Sequence, residues 1–435
     1  LSEDKLKFIL KEFRIGTINQ FRSRAVMVHV FSLRRGDFLM LRWWMALGLM
    51  ILSLTAGAPA RASIEDEEPV VQGRKLSEWV TMLKTDKDEN RRRASLIAIK
   101  IIATKLETAK TVAPVLAAAR EDASDRVRKA ATQTLGDMAL SARDYLKRLD
   151  REKKKGEIAD ATLKQALDAL TDKLRDDKSA DVRQTAAESL GRLGTDGRSA
   201  TDALTTALKD KTEAVRAAAA EALGRIGPDA KSAAPALVET LRDTKAERSV
   251  RLFAAYALGR IDPAPPNLAV AALGEVLQDT GTPGEVRKAT ADSLGLLGKA
   301  AEDAVPALAE ALVDAKNVEL RRAAAVALEQ IGPPAVKALP KLRQATHDED
   351  KFVRGHAAHA LSAIGKDAAD AIPDLVRLVK DDAVTDVRVA AAEALGIVGV
   401  RTPDAVDALT TASRSSQTVL REAAAEALKK LEEKQ

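Results

Sequence analysis

Residues 213–227 read Glu213-Ala-Val-Arg-Ala-Ala-Ala-Ala-Glu-Ala-Leu-Gly-Arg-Ile-Gly227. Counted from Arg216, Val215, Ala219, Leu223 and Ile226 stand at offsets −1, +3, +7 and +10, which trace one face of a helix. Gly227 follows as a helix stop. The same frame recurs along the chain, with an apolar residue before each of Arg128, Arg183, Arg216, Arg251, Arg287, Arg321, Arg354, Arg388 and Arg421. Successive differences between those numbers are 55, 33, 35, 36, 34, 33, 34 and 33. Seven residues after each arginine stands a leucine, from Leu135 to Leu428, and Gly194, Gly227, Gly298, Gly332, Gly365 and Gly399 close six of the helices. A fixed period near 34 residues is the mark of a repeat architecture.

A second helix precedes each of these. It carries leucines four apart, as in Leu204/Leu208, Leu237/Leu241, Leu273/Leu277 and Leu308/Leu312, and Pro114, Pro235, Pro306, Pro340 and Pro373 sit near its start, where a missing N–H is harmless. Each unit is therefore a helix A and a helix B joined by a short acidic turn. One such pair cannot bury its own apolar faces, so the pairs must stack. These units resemble HEAT repeats, of the short kind named after phycobilisome lyases, over about residues 107–431. A degenerate first unit spans 76–105, with Trp79 and Leu83 on its helix A. The expected fold is all-α, an α-solenoid of about ten two-helix repeats over residues 76–435. The 55-residue interval holds a charged insertion at 140–160, read as helix extension plus a solvated loop without an apolar face. Residues 63–75 are acidic and read as a linker.

The chain carries a formal charge of +5, yet residues 1–62 alone contribute ten Lys/Arg against four Asp/Glu, a net +6. The remaining 63–435 therefore sum to −1, which gives no field for a phosphate backbone, and no nucleic-acid partner is expected. The basic segment contains Met40-Leu41-Arg42, an apolar run from Trp43 to Thr55, and small residues at Ala60 and Ala62. These are the parts of a secretory signal peptide cleaved after Ala62, with translation starting at Met40 or Met27. The run is shorter than the roughly 20 residues that span a bilayer, so membrane contact is expected only through an uncleaved leader. The predicted location is periplasmic or extracellular, of bacterial type. The absence of cysteine excludes disulfides, thiolate metal sites and a cysteine nucleophile.

The arginine ladder reads as structural: acids one to four residues earlier (Asp125, Asp181, Glu213, Glu319, Asp386) suit a helix N-terminus, and the guanidinium can reach the neighbouring unit's turn. Five residues after each arginine the row runs Gln133, Glu188, Glu221, Tyr256, Asp292, Val326, His359, Glu393 and Glu426. Arg192 and Arg225 follow Glu188 and Glu221 at i+4, the spacing of a solvated ion-paired face. The acids give way mid-chain, and Leu252, Tyr256, Leu296, Val326 and His359 form a candidate partner-binding patch, since aromatic and apolar anchors are what interface centres use. Resemblance to HEAT arrays implies that helix B lines the concave face. It also admits an enzyme, because deoxyhypusine hydroxylase shares this repeat and binds iron through His-Glu pairs. No His-Glu dipeptide occurs here, and the mature part has only His347, His356 and His359, too few for that site. Asp86-Lys-Asp88-Glu-Asn90 lacks the glycine and final acid of a calcium loop. The expectation is an exported scaffold for an unidentified protein partner, with no catalysis, cofactor or metal. A HEAT-class enzyme and a structural subunit of an envelope complex are the alternatives.

Overall fold

The computed structural model describes residues 68–105, 112–151, 157–261 and 266–433. The leader, its residues Ala60 and Ala62, and the first part of the acidic segment lie outside them. The described part opens on a hairpin of β1 (Val70–Val71) and β2 (Arg74–Lys75), paired antiparallel. Gln72 and Gly73 turn it with φ of 51° and 77°, the mirror-image turn that suits the twist of a two-residue hairpin. Residues 70–75, within the stretch read as linker, are thus ordered. The cause is Trp79, whose indole N–H donates to the Val71 carbonyl at 3.1 Å while Arg74 lies 5.2 Å from its ring centroid.

Twenty α-helices follow in ten consecutive pairs. They are α1 (Leu76–Thr85) and α2 (Glu89–Lys105), α3 (Val112–Glu121) and α4 (Asp125–Arg151), α5 (Glu157–Asp176) and α6 (Ala180–Arg192), α7 (Thr201–Ala207) and α8 (Glu213–Ile226), α9 (Ala234–Arg242) and α10 (Arg248–Arg260). Then come α11 (Pro266–Gln278) and α12 (Gly284–Leu297), α13 (Val305–Ala311) and α14 (Val318–Ile331), α15 (Leu339–Ala345) and α16 (Lys351–Ile364), α17 (Ile372–Asp381) and α18 (Thr385–Val398), α19 (Pro403–Ala412) and α20 (Thr418–Glu433). Odd-numbered helices are the A row and even-numbered helices the B row. Each B helix packs on its own A helix and on the B helices before and after it, which is the stacking that makes an all-α solenoid.

The residues quoted from 213–227 show why the stack closes. Val215, Ala219, Leu223 and Ile226 are all buried, as the helical period required. Gly227 then adopts φ 76°, a conformation that side chains with a Cβ resist, and the chain turns through a short 3-10 segment (Gly227–Ala233) into the next A helix. A second set of glycines works differently. Eight residues after the ladder arginine, Gly191 faces Ala222 of the next B helix so closely that an added Cβ would lie 2.8 Å from the Ala222 Cα. Gly396 meets Ala427 at the same 2.8 Å, and Gly224 meets Ala257 at 3.0 Å. Small residues at this seam let the B helices approach backbone to backbone. In α14 and α16 the position is Glu329 and Ser362.

The described residues of the insertion lengthen α4 and α5, with α4 running for 27 residues and α5 for 20. This extension does bury an apolar stripe: Ala142, Leu149 and Ala159 are each 8% exposed. Ala142 and Leu149 are one heptad apart, a spacing obscured in the sequence by the charges around them. Arg143 braces its base through the Arg192 carbonyl at 3.2 Å.

Candidate functional site

Charges pair from unit to unit on both faces of the array, on the B face as Lys129 with Asp181 at 2.8 Å and Arg322 with Asp350 at 2.6 Å. Along the A row and the 3-10 segments and turns that flank it, long side chains pair from one unit to the next: Lys209 with Glu239 at 3.0 Å, Arg242 with Glu275 at 2.8 Å, Lys337 with Glu302 at 2.9 Å, and Lys380 with Asp407 at 2.8 Å. At the A–B turns the ladder arginines are consumed in the same way. Arg128 reaches Asp177 at 3.0 Å, Arg183 reaches Asp210 at 2.7 Å, Arg287 reaches Asp314 at 2.9 Å, Arg321 reaches Asp348 at 2.8 Å and Arg354 reaches Asp382 at 2.6 Å. Arg92 of the first unit does the same with Asp122 at 2.7 Å.

In most units each guanidinium also donates to a carbonyl of its own turn, as Arg183 does to the Asp177 carbonyl at 2.8 Å. The carboxylate takes a backbone amide two residues on, as Asp177 does from Ser179 at 2.9 Å. Burial works to raise the Asp177 carboxyl, but the Arg128 hydrogen bond, the Ser179 amide and Lys173 together hold it below the usual range. Asp382 is lowered in the same way against burial by Arg354 and the Val384 amide. The acids that take part stand six residues before an arginine (Asp177 before Arg183, Asp210 before Arg216, Asp348 before Arg354). They are not the nearer acids singled out in the sequence, and the Asp-x5-Arg spacing was the signal that would have found them.

The joints around α10 depart from this scheme. Arg216 pairs with Glu247 at 2.5 Å, a carboxylate 40% exposed. Arg251 meets the Leu241 carbonyl at 2.9 Å and the Thr282 hydroxyl at 3.1 Å, with Asp279 behind Thr282 at 2.7 Å. Near the end, Arg388 donates to the Val379 carbonyl at 2.9 Å, and Arg421 donates to the Ser415 carbonyl at 3.0 Å within its own unit.

The outward face of the B row is a grid of positions +1, +5 and +9 from each ladder arginine. The candidate patch falls on four consecutive helices of it, α10, α12, α14 and α16, each packed on the next. Leu252 and Tyr256 are half-buried against the core, Val326 and His359 are half-buried, and Leu296 is 57% exposed. Asp292 stands between Tyr256 and Val326 in the row, bound to Lys288 at 2.8 Å, so the +5 stripe is broken at α12, where the apolar group is Leu296 at +9. Glu221 and Arg225 make their i,i+4 pair at 2.7 Å. Glu188 and Arg192 do not: Arg192 turns to Asp137 at 3.0 Å, and Glu188 accepts from Gln184 at 2.8 Å.

Where the glycine seam is interrupted, Glu329 leans onto His356 Nδ1 at 2.9 Å, and the His356 and His359 rings lie 6.2 Å apart. His347 sits apart, at 3.2 Å from Asp374, beside a shallow cavity of about 440 Å³ lined by Leu312, Arg321, Asp348 and Glu349. Among the described residues no three His, Asp or Glu side chains are grouped to hold a metal ion. No described helix is long and apolar enough to cross a membrane.

The profile of HEAT repeats matches residues 167–249, 234–329, 305–396 and 366–429. No curated protein sequence matches the chain. Among solved structures, an engineered protein is 23% identical, covers 82% of this chain and 98% of its own, and superposes with a TM-score of 0.51. Yeast importin-β (Kap95p) is 15% identical over 83% of this chain and 50% of its own, with a TM-score of 0.53. The Kap95:Nup1 complex gives 16% identity, the same 83% and 50% coverage, and a TM-score of 0.53.

Proposed function

The chain belongs to the HEAT-repeat family, and we propose that it is an exported scaffold that holds a protein partner on its helix-B face. The observation that carries this reading is the apolar group on the B face. Amid charges that find partners within the array, Leu252, Tyr256, Leu296 and Val326 reach the surface over three adjoining helices. Apolar and aromatic side chains amid polar neighbours are the composition of interface centres. We assign the repeats to the short phycobilisome-lyase-like kind on their period, and export on the charged, apolar and small-residue parts of residues 40–62. Catalysis is not part of the proposal: the histidines, His347, His356 and His359, are split between two places, and carboxylates near them are engaged with Arg343 and His356 themselves.

The test is a tagged full chain expressed in its native host, captured and analysed by mass spectrometry together with its own N-terminus and metal content. The expected result is a mature end at Ser63 and a stoichiometric protein, lost on Val326→Glu and kept on Lys337→Glu of the 3-10 segment before α15. An intact N-terminus with stoichiometric metal and no partner overturns the reading in favour of an enzyme. A partner that stays through both substitutions and forms one fixed complex favours a structural subunit.

A further inference from the structure

Position +9 of the B helices carries Arg192 in α6, Arg225 in α8, Arg260 in α10 and Leu296 in α12. These are four consecutive helices in contact, so the same offset places three arginines and one leucine in a line of matching positions across the array, with Arg192 turned to Asp137 and Arg225 to Glu221. Arg192 and Arg225 have side chains 41% and 45% exposed, Arg260 is exposed, and Leu296 is 57% exposed. Their present engagements are easily exchanged. The Glu221–Arg225 pair is solvated, and such pairs contribute little to stability. Asp137, the partner of Arg192, is also held by Lys100 at 2.5 Å, so releasing Arg192 leaves no orphan carboxylate. Arg260 has no ion pair among the described residues.

Resting on the helix-B-face reading, we propose that this line is a track for an acidic peptide segment in polyproline II conformation, with carboxylates three residues apart and an apolar side chain one further step on. The period follows from the packing. Helices that touch through Gly191 and Ala222, or Gly224 and Ala257, have axes at the close end of the usual range of about 8–10 Å. A polyproline II chain turns once in three residues and advances about 9 Å in doing so, which puts every third side chain on one face at that spacing. In a β-strand the third residue points to the opposite face, and an α-helix advances only about 5.4 Å per turn. Guanidinium forks match carboxylates bidentately. A nucleic-acid strand is the weaker fit, because Asp137, Glu188 and Glu221 are interleaved with the arginines and would oppose a continuous row of phosphates. Two uncharged residues between successive carboxylates leave those acids undisturbed.

The probe is a fluorescein-labelled peptide of three Glu-Pro-Pro triplets followed by Leu, titrated with the full chain by anisotropy. A second peptide of the same composition has its glutamates contiguous, and a short single-stranded oligonucleotide serves as competitor. Binding of the triplet peptide should be salt-sensitive and at least tenfold tighter than that of the contiguous one. Arg225→Ala and Arg260→Ala should each weaken it by about tenfold, and Leu296→Glu by as much, with circular dichroism unchanged. Arg225→Glu combined with Arg260→Glu should transfer preference to a Lys-Pro-Pro version, a gain that misfolding cannot produce. Equal binding of the two acidic peptides, indifference to the arginine changes, displacement by the oligonucleotide, or no binding at all overturns the proposal. If partner capture still depends on Val326 in that event, the register fails while the face stands; if capture fails too, both fall.

Discussion

At the residue scale the ladder is the main device. A guanidinium such as Arg321, with its side chain only 7% exposed, is tolerable because Asp348 and the Asp314 carbonyl take its protons at 2.8 and 3.1 Å. Removing Asp348 leaves Arg321 only the exposed Glu349, at 3.2 Å, as a charged partner. Asp348→Ala is expected to destabilise the protein by about 3 kcal/mol, whereas Glu275→Ala, in an exposed pair on the A row, should change stability by less than about 1 kcal/mol; thermal melts compare the two directly. The ladder acids also set the response to acid. Asp350, the α16 cap beside the ladder, is held down to about 2, first by the Arg322 hydrogen bond, and the ladder acids Asp177, Asp210, Asp314 and Asp382 are lowered as well. A carboxyl whose folded value lies below its unfolded value of about 3.9 contributes fully above that value. As pH falls, the unfolded chain binds the proton first, so the contribution drains away until the folded value is passed. The melting temperature should therefore drop steeply between about pH 4 and pH 2, and Asp350→Asn should make that slope shallower.

At the scale of the element, two glycines of the B row make opposite demands. Gly191→Ala puts a methyl 2.8 Å from the Ala222 Cα, forcing α6 and α8 apart, and should destabilise by about 1–3 kcal/mol. Gly355→Ala, in the interior of α16 with nothing within 4 Å of the new Cβ, should instead stabilise by about 0.5–1 kcal/mol. Denaturation midpoints of the pair test the seam against simple helix propensity. The helices themselves were legible from Val215, Leu223 and Ile226, because burial on one face repeats every turn. The seam was less so. A glycine eight residues after arginine looks like weak helix until the neighbouring Ala222 is known to lie against it. The hairpin at 70–75 was hidden for a similar reason, since it depends on one contact from Trp79 that no local pattern announces.

Over the whole molecule, stability is a sum of units and joints, and the joints are unequal. Those on either side of α10 rest on Glu247, which is exposed, and on the Thr282 hydroxyl, where the joints of Arg128, Arg183, Arg321 and Arg354 have a carboxylate largely withdrawn from solvent. Hydrogen exchange should find the turns at 243–247 and 279–283 opening more readily than those at 177–179 and 382–384; equal protection would show that apolar packing alone governs the joints. The break was foreshadowed in the sequence by intervals of 35 and 36 among 33s and 34s, although what replaced the acid could not be inferred from spacing. The candidate face was legible as a change of residue type at Tyr256 and Val326. Its arginine line was not, because Arg192 and Arg225 look like members of i,i+4 pairs until Arg192 is seen to turn toward Asp137.

The Trp79 indole, 6% exposed and tied to the Val71 carbonyl, also gives the array an optical label. The chain has three tryptophans, and two of them, Trp43 and Trp44, precede Ala62. A chain trimmed there keeps one fluorophore of this type, seated in the first unit. Its emission then tracks the opening end alone, while ellipticity tracks every helix. The interval in temperature between the two signals measures how far the stack can unzip before it lets go as a whole.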